Sequence, residues 1–539
     1  MSFNSFSSGF SPWQEDVIYF LLVDRFHDGK KRTTSSSSKK SKGFGNCEQL
    51  QRNCGGNLKG VIQKLDYIKS LGCTAVWLSP VFENNPESYH GYAIQNFLKV
   101  DPRFGTEEDL VNLVATAHGV GLKVFLDAVI NHTGNNWSYK EKKEAFYQRG
   151  KTYEFGEWRS EDLPQPVSLR NPDYYFRKGM VRNWDAYPET RQGDFFSLKK
   201  FRLDESDKGL EVQKILADIY KYWIRVTDCD GFRIDAAKHA GEQAVSRFCT
   251  NMKEYAESIG KNDFFLFAEI PAMDKFSFSF FNTYLSEKEE KYYHGPDSIL
   301  DFPLHFLLKK IIKGQEKPER LRQRFSSIEN LTLSKKRTLV TFLDNHDQIE
   351  GPSKKRIASE LSYPQLLAAL GLLFTFPGIP CLYYGTEQLL SGEGTSDSCI
   401  REAMFEFEKE EGVDLFQTAS PVYKEISKML AIRKQIPELT SGILTWPKIK
   451  LIGDSLSQPE PLVFMRESEE EQTLICFNSS NNEKQEFFVE IKYDDQLKDR
   501  LPSIWYTNLP EGHLNVEKFG QSKNGFKIVL SPEQFIILK

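Results

Sequence analysis

The sequence predicts an α/β fold: a (β/α)8 (TIM) barrel with an inserted subdomain after strand three and a C-terminal all-β sandwich domain. Three observations lead there. Short apolar runs rich in β-formers alternate with stretches whose apolar residues recur at helical spacing, the pattern of βα units on a parallel sheet. That rhythm breaks once, between Thr133 and Asp207, where the chain is polar, aromatic and turn-rich. So long an aperiodic stretch in a compact domain is a subdomain or a functional loop. After Leu439 helical spacing gives way to strand-like runs separated by turn signals. The expected organisation is a barrel from 1–132 and 208–435, an insert at 133–207 and a sandwich at 440–539.

Residues 17–22 form the first buried strand, ending at Asp24-Arg25-Phe26. Residues 33–42 are low-complexity and polar, and read as a mobile surface loop. A helix over 58–71 carries Val61, Ile62, Leu65 and Ile68 at helical spacing and stops at Gly72. Strand two is 75–78. A helix around 110–117 stops near Gly119 and Gly121, and strand three (124–126) ends at Asp127. Past the insert, a helix over 210–226 precedes strand four (231–234), and strand five is 264–268. Residues 298–300, 338–342 and 379–385 complete eight strands, enough for a closed barrel. In the sandwich, strands are expected at 461–465, 473–477, 486–493, 503–506 and 526–530.

Composition narrows the function. A chain of 539 residues is not limited in core burial. A net charge of −5 with 27% charged residues argues against nucleic-acid and anionic-membrane partners, which want a basic face, and leaves a neutral polar substrate open. The first eight residues lack a basic cap and an apolar core, so no secretory signal is expected. No uninterrupted apolar window of about 18 residues suggests a membrane span. The expected location is cytoplasmic. The eight cysteines are scattered and read mostly as small buried hydrophobes. Cys47 and Cys54 flank a polar loop and could pair only in an oxidising compartment. No Cys or His spacing suggests zinc.

In such a barrel the active site lies at the C-terminal strand ends. Strand three ends in Asp127, strand four in Asp235 and strand five in Glu269, and strand seven leads into Asp344-Asn345-His346-Asp347. Arg233 stands two residues before Asp235, and residues two apart on a strand face the same side. A guanidinium beside a carboxylate favours the anion, the form that attacks as a nucleophile. Carboxylates crowded at one mouth are costly unless some are paired or protonated, and that crowding lets one serve as acid while another stays ionised. Two carboxyls about 5 Å apart are the apparatus of a retaining glycosidase.

The blocks Asp127-Ala128-Val129-Ile130-Asn131-His132, Gly231-Phe232-Arg233-Ile234-Asp235-Ala236-Ala237-Lys238-His239, Phe267-Ala268-Glu269-Ile270 and Phe342-Leu343-Asp344-Asn345-His346-Asp347 resemble, in sequence and order, the four signature blocks of the α-amylase family, glycoside hydrolase family 13. Val23-Asp24-Arg25-Phe26, Tyr89-His90-Gly91-Tyr92 and Gly378-Ile379-Pro380-Cys381-Leu382-Tyr383-Tyr384-Gly385-Thr386-Glu387 are similar to supporting stretches. The resemblance runs from about Trp13 and is weakest in the insert and the C-terminal domain.

The resemblance implies that Asp235 is the nucleophile, Glu269 the general acid and then base, and Asp347 the transition-state stabiliser. Arg233 would orient Asp235, and Asp127 would pair with Arg233. His90, His132 and His346 would hydrogen-bond the sugar, Tyr92 would stack on its face, and Lys238-His239 would lie toward the leaving group, tilting the substrate toward α-1,4-linked glucose polymers. The implied activity is retaining cleavage of internal α-1,4 bonds in starch- or glycogen-type glucans or maltooligosaccharides. A glucanotransferase on the same scaffold and a non-catalytic glycan-binding protein are the competing readings. The resemblance also implies a structural Ca2+ held by Asn131, the His239 carbonyl and an insert aspartate, for which Asp194 is the candidate. Lys199, Lys200 and Arg202 stand nearby where an acid is expected, and their charges would oppose a cation. Ala268 replaces the Gly that often precedes the acid. Trp184, Tyr187 and other insert aromatics are candidates for lining sugar subsites, although most aromatics serve packing.

Overall fold

A computed structural model describes residues 12–34, 43–141, 145–160, 163–334, 337–348, 351, 353–452, 460–490, 502–510, 515–518 and 525–539. The barrel strands are β1 (Ile18–Leu21), β2 (Ala75–Leu78), β3 (Lys123–Ala128), β4 (Gly231–Ile234), β5 (Phe265–Ala268), β6 (Ser298–Ile299), β7 (Val340–Phe342) and β8 (Ile379–Tyr383). Their hydrogen-bonded order is β6-β5-β4-β3-β2-β1-β8-β7, and every paired neighbour is parallel. A parallel bridge from Leu300 to Val340, with the Asp301 N–H donating to the Val340 carbonyl at 2.9 Å, closes the ring. All eight expected strands are present. They read as unbroken apolar runs because both faces are covered, by helices outside and by side chains filling the barrel within.

The expected helix over 58–71 is two helices, α1 (Leu58–Gln63) and α2 (Leu65–Leu71), broken at Lys64. The apolar spacing continues across the break. The Lys64 ammonium pairs with buried Asp414 at 2.8 Å, a tertiary contact that local spacing does not report. Gly60 in α1 passes so close to the His27 carbonyl that a Cβ there would lie 1.9 Å from its oxygen, so only glycine fits. Helix α3 (Glu107–Gly119) opens on a Thr106–Asp109 capping box, and α4 (Asp207–Thr227) on Ser206, each satisfying amides that a helix start leaves free.

The insert pairs His132–Thr133 with Lys199–Lys200, and Trp137–Tyr139 with Phe155–Trp158. Trp137, Tyr175 and Phe201 are buried together, so these aromatics pack the subdomain. Tyr187 and Phe196 are its exposed aromatics, at 82% and 71%.

The C-terminal strands form two antiparallel sheets, of five and four strands. Val463, Leu474 and Ile536 from one face Phe487, Phe526 and Ile528 from the other in a separate core. Four strands here were not expected: Ile443–Thr445, Lys448–Leu451, Asn515–Lys518 and Phe535–Leu538. The first three are short edge strands, and the last is continuously apolar because both its faces are covered: Phe535 and Ile537 join the large core, Ile536 and Leu538 the core between the two sheets. The part of the 486–493 expectation beyond Glu490 lies outside the described residues, as do 35–42 of the polar loop, whose Thr33–Thr34 instead pair with Val413–Asp414.

Cys47 bonds to Cys399, joining the loop after β1 to the segment after β8. This corrects the candidate pairing with Cys54, which is buried and accepts a hydrogen bond from the Arg25 guanidinium. Among the described helices none is long and apolar enough to cross a membrane.

Candidate active site

Strand register delivers the chemistry to one place. Arg233 pairs with Asp127 across β4 and β3, and with Phe267 across β4 and β5. Its guanidinium is fully buried. Nη1 donates to Asp127 Oδ1 at 2.8 Å and to Asp235 Oδ1 at 2.8 Å, and Nη2 forms an ion pair with Glu269 Oε2 at 2.8 Å. One cation therefore grips three carboxylates from adjacent strand ends. Asp235 and Glu269 meet opposite nitrogens of one planar fork, compatible with the short spacing of about 5 Å that a retaining mechanism uses.

Asp127 also accepts from Trp77 Nε1 at 3.2 Å and Tyr92 Oη at 3.0 Å, which locks it behind the arginine. Immediately after Asp235, Ala236 adopts a left-handed backbone (φ 47°), unusual for a residue with a Cβ. That turn aims the Ala236 N–H at Glu269 Oε2, 3.1 Å away.

Burial pushes the Asp127 carboxyl up to about 6 against the opposing pull of Arg233. Burial likewise raises Asp235 and Glu269, again against Arg233, with the neighbouring carboxylates adding to the rise. A charge on Asp235 raises Glu269, which favours one ionised carboxylate beside one protonated acid.

Asp347, its side chain a third exposed, faces this group across the mouth and receives Arg401 Nη2 at 2.7 Å. Arg401 also donates to the His346 carbonyl at 2.8 Å and to Tyr89 Oη at 3.1 Å. Sequence reasoning missed Arg401. It lies in an aperiodic segment after β8, and nothing local marks it.

The expected histidines are all present, and all are held neutral. Burial pushes His90, His132 and His239 down to about 3 and His346 well below its ordinary value. His346 lies over Tyr92, ring centroids 5.4 Å apart and nearly parallel, and its Nε2 is 3.5 Å from Asp347. His90 accepts the Tyr92 N–H at 3.0 Å and meets Ser88 Oγ through its other ring nitrogen. His132, expected to hydrogen-bond the sugar, has its ring nitrogens beside the Asn131 amide and the Tyr92 carbonyl. Tyr92 is turned inward to Asp127, and its ring, flanked by His90 and His346, is part of the wall. Lys238 reaches the exposed Asp185 on the insert and the Pro271 carbonyl. His239 Nδ1 is anchored on Thr190 of the insert. Phe20, Trp77 and Phe342 line a small cleft together with Glu269 and His346.

The expected calcium ligands also converge, but onto a side chain. Lys200 Nζ donates to Asn131 Oδ1 and to the His239 carbonyl at 3.0 Å. Asp194, fully buried, accepts the Lys200 N–H at 2.9 Å and Tyr139 Oη at 2.6 Å. Every oxygen named for the metal already has a protein donor, and an ammonium stands between two of them. This donor set, expected to hold Ca2+ through Asn131, Asp194 and His239, does not fit a divalent cation as these side chains stand.

A buried arginine holding three carboxylates at a barrel mouth is an arrangement in which one carboxyl can serve as acid while another stays ionised. Comparison with known proteins agrees. The α-amylase catalytic-domain family matches residues 20–419, about three quarters of the sequence, and the chain belongs to that family. It is 31% identical over 452 residues to an α-amylase of Streptomyces lividans, covering 72% of this chain and 47% of that protein, so it spans about half the relative's length. It is 27% identical over 508 residues to a cyclomaltodextrin glucanotransferase of Klebsiella oxytoca, covering 86% and 70%. Among solved structures, the α-amylase of Geobacillus thermoleovorans, complexed with acarbose, superposes with a TM-score of 0.68 at 26% identity over 98% of both chains. A three-domain cyclomaltodextrin glucanotransferase gives 0.68 at 26% identity over 97% and 98%.

Proposed function

We propose that this α-amylase-family enzyme is a retaining hydrolase of internal α-1,4-glucosidic bonds in starch- or glycogen-type glucans and maltooligosaccharides. The observation that carries the reading is the Arg233 guanidinium holding Asp127, Asp235 and Glu269 together at adjacent strand ends. Asp235 attacks the anomeric carbon as the anion, forming a glycosyl-enzyme. Glu269 gives its proton to the departing oxygen, then takes one from the incoming water. Arg233 orients the nucleophile and offsets its charge. Asp347, fixed by Arg401, receives sugar hydroxyls, and neutral His346 and His90 beside it offer hydrogen bonds without a competing positive charge. Lys238, after β4, and the exposed Phe196 and Tyr187 of the insert are on the side where the leaving chain would run.

Glucan transfer is the second reading, favoured by the glucanotransferases among the relatives in both comparisons. It shares every step until a sugar hydroxyl replaces water. Incubation with a maltooligosaccharide of defined length separates the two: only shorter products support hydrolysis, and products longer than the substrate establish transfer. Failure to act on any α-1,4-glucan, with Asp235→Ala as the blank, overturns both.

The Cys47–Cys399 bond favours an oxidising compartment over the cytoplasm expected from the sequence. Titration of the denatured protein for six free thiols without reductant, as the free cysteines require, supports this; eight supports the cytoplasm.

A further inference from the structure

Lys200 is a buried charged group that the chemistry above does not use. It sits on the two-residue strand that pairs with His132–Thr133, directly opposite His132. That register sends its side chain, which has no exposed surface, into the seam where insert and barrel meet. Three segments close around its nitrogen: Asn131 after β3, the His239 carbonyl after β4, and the insert that carries Lys200 itself. Burial works against the Lys200 charge, and the Asp194 carboxylate opposes that from within the insert, although it is shared with Lys199, whose ammonium stands 3.9 Å from it.

We infer that the Lys200 side chain is a built-in cation that fastens the insert to the barrel in place of a divalent metal ion, and that it orders the substrate side of the site through Asn131 and His239. Lys200 donates to the Asn131 oxygen, which fixes that amide with its NH2 toward His132 Nδ1, 3.1 Å away. His132 must then carry its proton on Nε2 and donates it to the Tyr92 carbonyl at 3.1 Å. The same ammonium pins the backbone of His239, whose ring is anchored on Thr190 and whose neighbour Lys238 reaches Asp185. One covalently attached cation thus does, for both strand-end loops, what a bound ion would do with several oxygen ligands. It cannot be removed by a chelator. It also brings no preference for oxygen number or geometry, which is why one carboxamide, one carbonyl and one nearby carboxylate suffice.

The test needs no assumption about the reaction. Metal analysis of the purified full chain, and thermal unfolding with EDTA or with added Ca2+, are expected to show no stoichiometric divalent ion and an unchanged midpoint. A tightly held ion, or a midpoint that falls on chelation and recovers with Ca2+, overturns the inference. Lys200→Met keeps the length and removes the charge. It is expected to lower the midpoint by several degrees and to speed proteolysis within 133–207, because two buried oxygens lose their donor. A midpoint equal to that of the wild type overturns the fastening role. If the variant does not fold, the wild-type measurements still decide.

Discussion

Asp127→Asn probes the arginine clamp without changing side-chain volume. The wild-type carboxylate takes Arg233 Nη1 at 2.8 and 3.0 Å, Trp77 Nε1 at 3.2 Å and Tyr92 Oη at 3.0 Å. An amide offers one acceptor and turns an NH2 toward groups that are themselves donors. Removing one partner of a buried pair costs about 3–5 kcal/mol. Arg233 keeps Asp235 and Glu269, so the loss belongs at the low end, about 3 kcal/mol. A second effect is on protonation. The Asp127 charge is one of the causes that raise Asp235. Its loss, with Arg233 freed to favour the remaining carboxylates, moves the kcat/KM profile on a maltooligosaccharide to lower pH by up to about one unit, since one unit is about 1.36 kcal/mol of interaction. Urea unfolding measures the first effect and pH–rate profiles the second. A variant within about 0.5 kcal/mol of wild type, as for an ordinary surface change, with an unmoved or alkaline-shifted profile, would refute the clamp.

Two further outcomes follow from single contacts. Burial raises Asp344 to about 7, against the pull of Arg356. The folded state therefore keeps a proton there that the unfolded chain sheds near pH 4, and this contribution is full below that pH and lost as pH rises toward 7. The unfolding free energy of wild type minus that of Asp344→Asn should accordingly shrink from pH 4 to 7, and growth over that range would contradict the assignment. Arg401→Met releases Asp347. A charge-assisted bond is worth about 1.5–3 kcal/mol, and solvent at the partly exposed Asp347 places the effect at the low end, roughly tenfold in kcat/KM; the His346 carbonyl also loses its donor, at a cost of about 1–3 kcal/mol of stability. An unchanged kcat/KM would remove Arg401 from the site.

Asp127, Asp235 and Glu269 were legible in the sequence because each follows a short apolar strand, and strand ends of a barrel share one mouth. Arg233 was legible through period two. Partners set by long-range packing were not. Arg401 comes from a segment without periodicity, and Cys399 meets Cys47 across 352 residues of chain. At the break in the helix, Lys64 reaches Asp414, a partner 350 residues on. Lys200 was visible as a charge hostile to a metal, but its place between Asn131 and His239 emerges only when β3, β4 and the insert are packed together. His132 was assigned to the sugar by its motif, and only the folded neighbourhood shows the Asn131 amide and the Tyr92 carbonyl beside its ring nitrogens.

The central claim is that Asp235 and Glu269 act as a nucleophile and acid pair on an α-linked glucan. Proton NMR of the reducing end first released from a maltooligosaccharide, recorded before mutarotation, tests it most directly. Double displacement through Asp235 predicts the α-anomer first. Initial appearance of the β-anomer would mean single displacement by water, and would contradict the account.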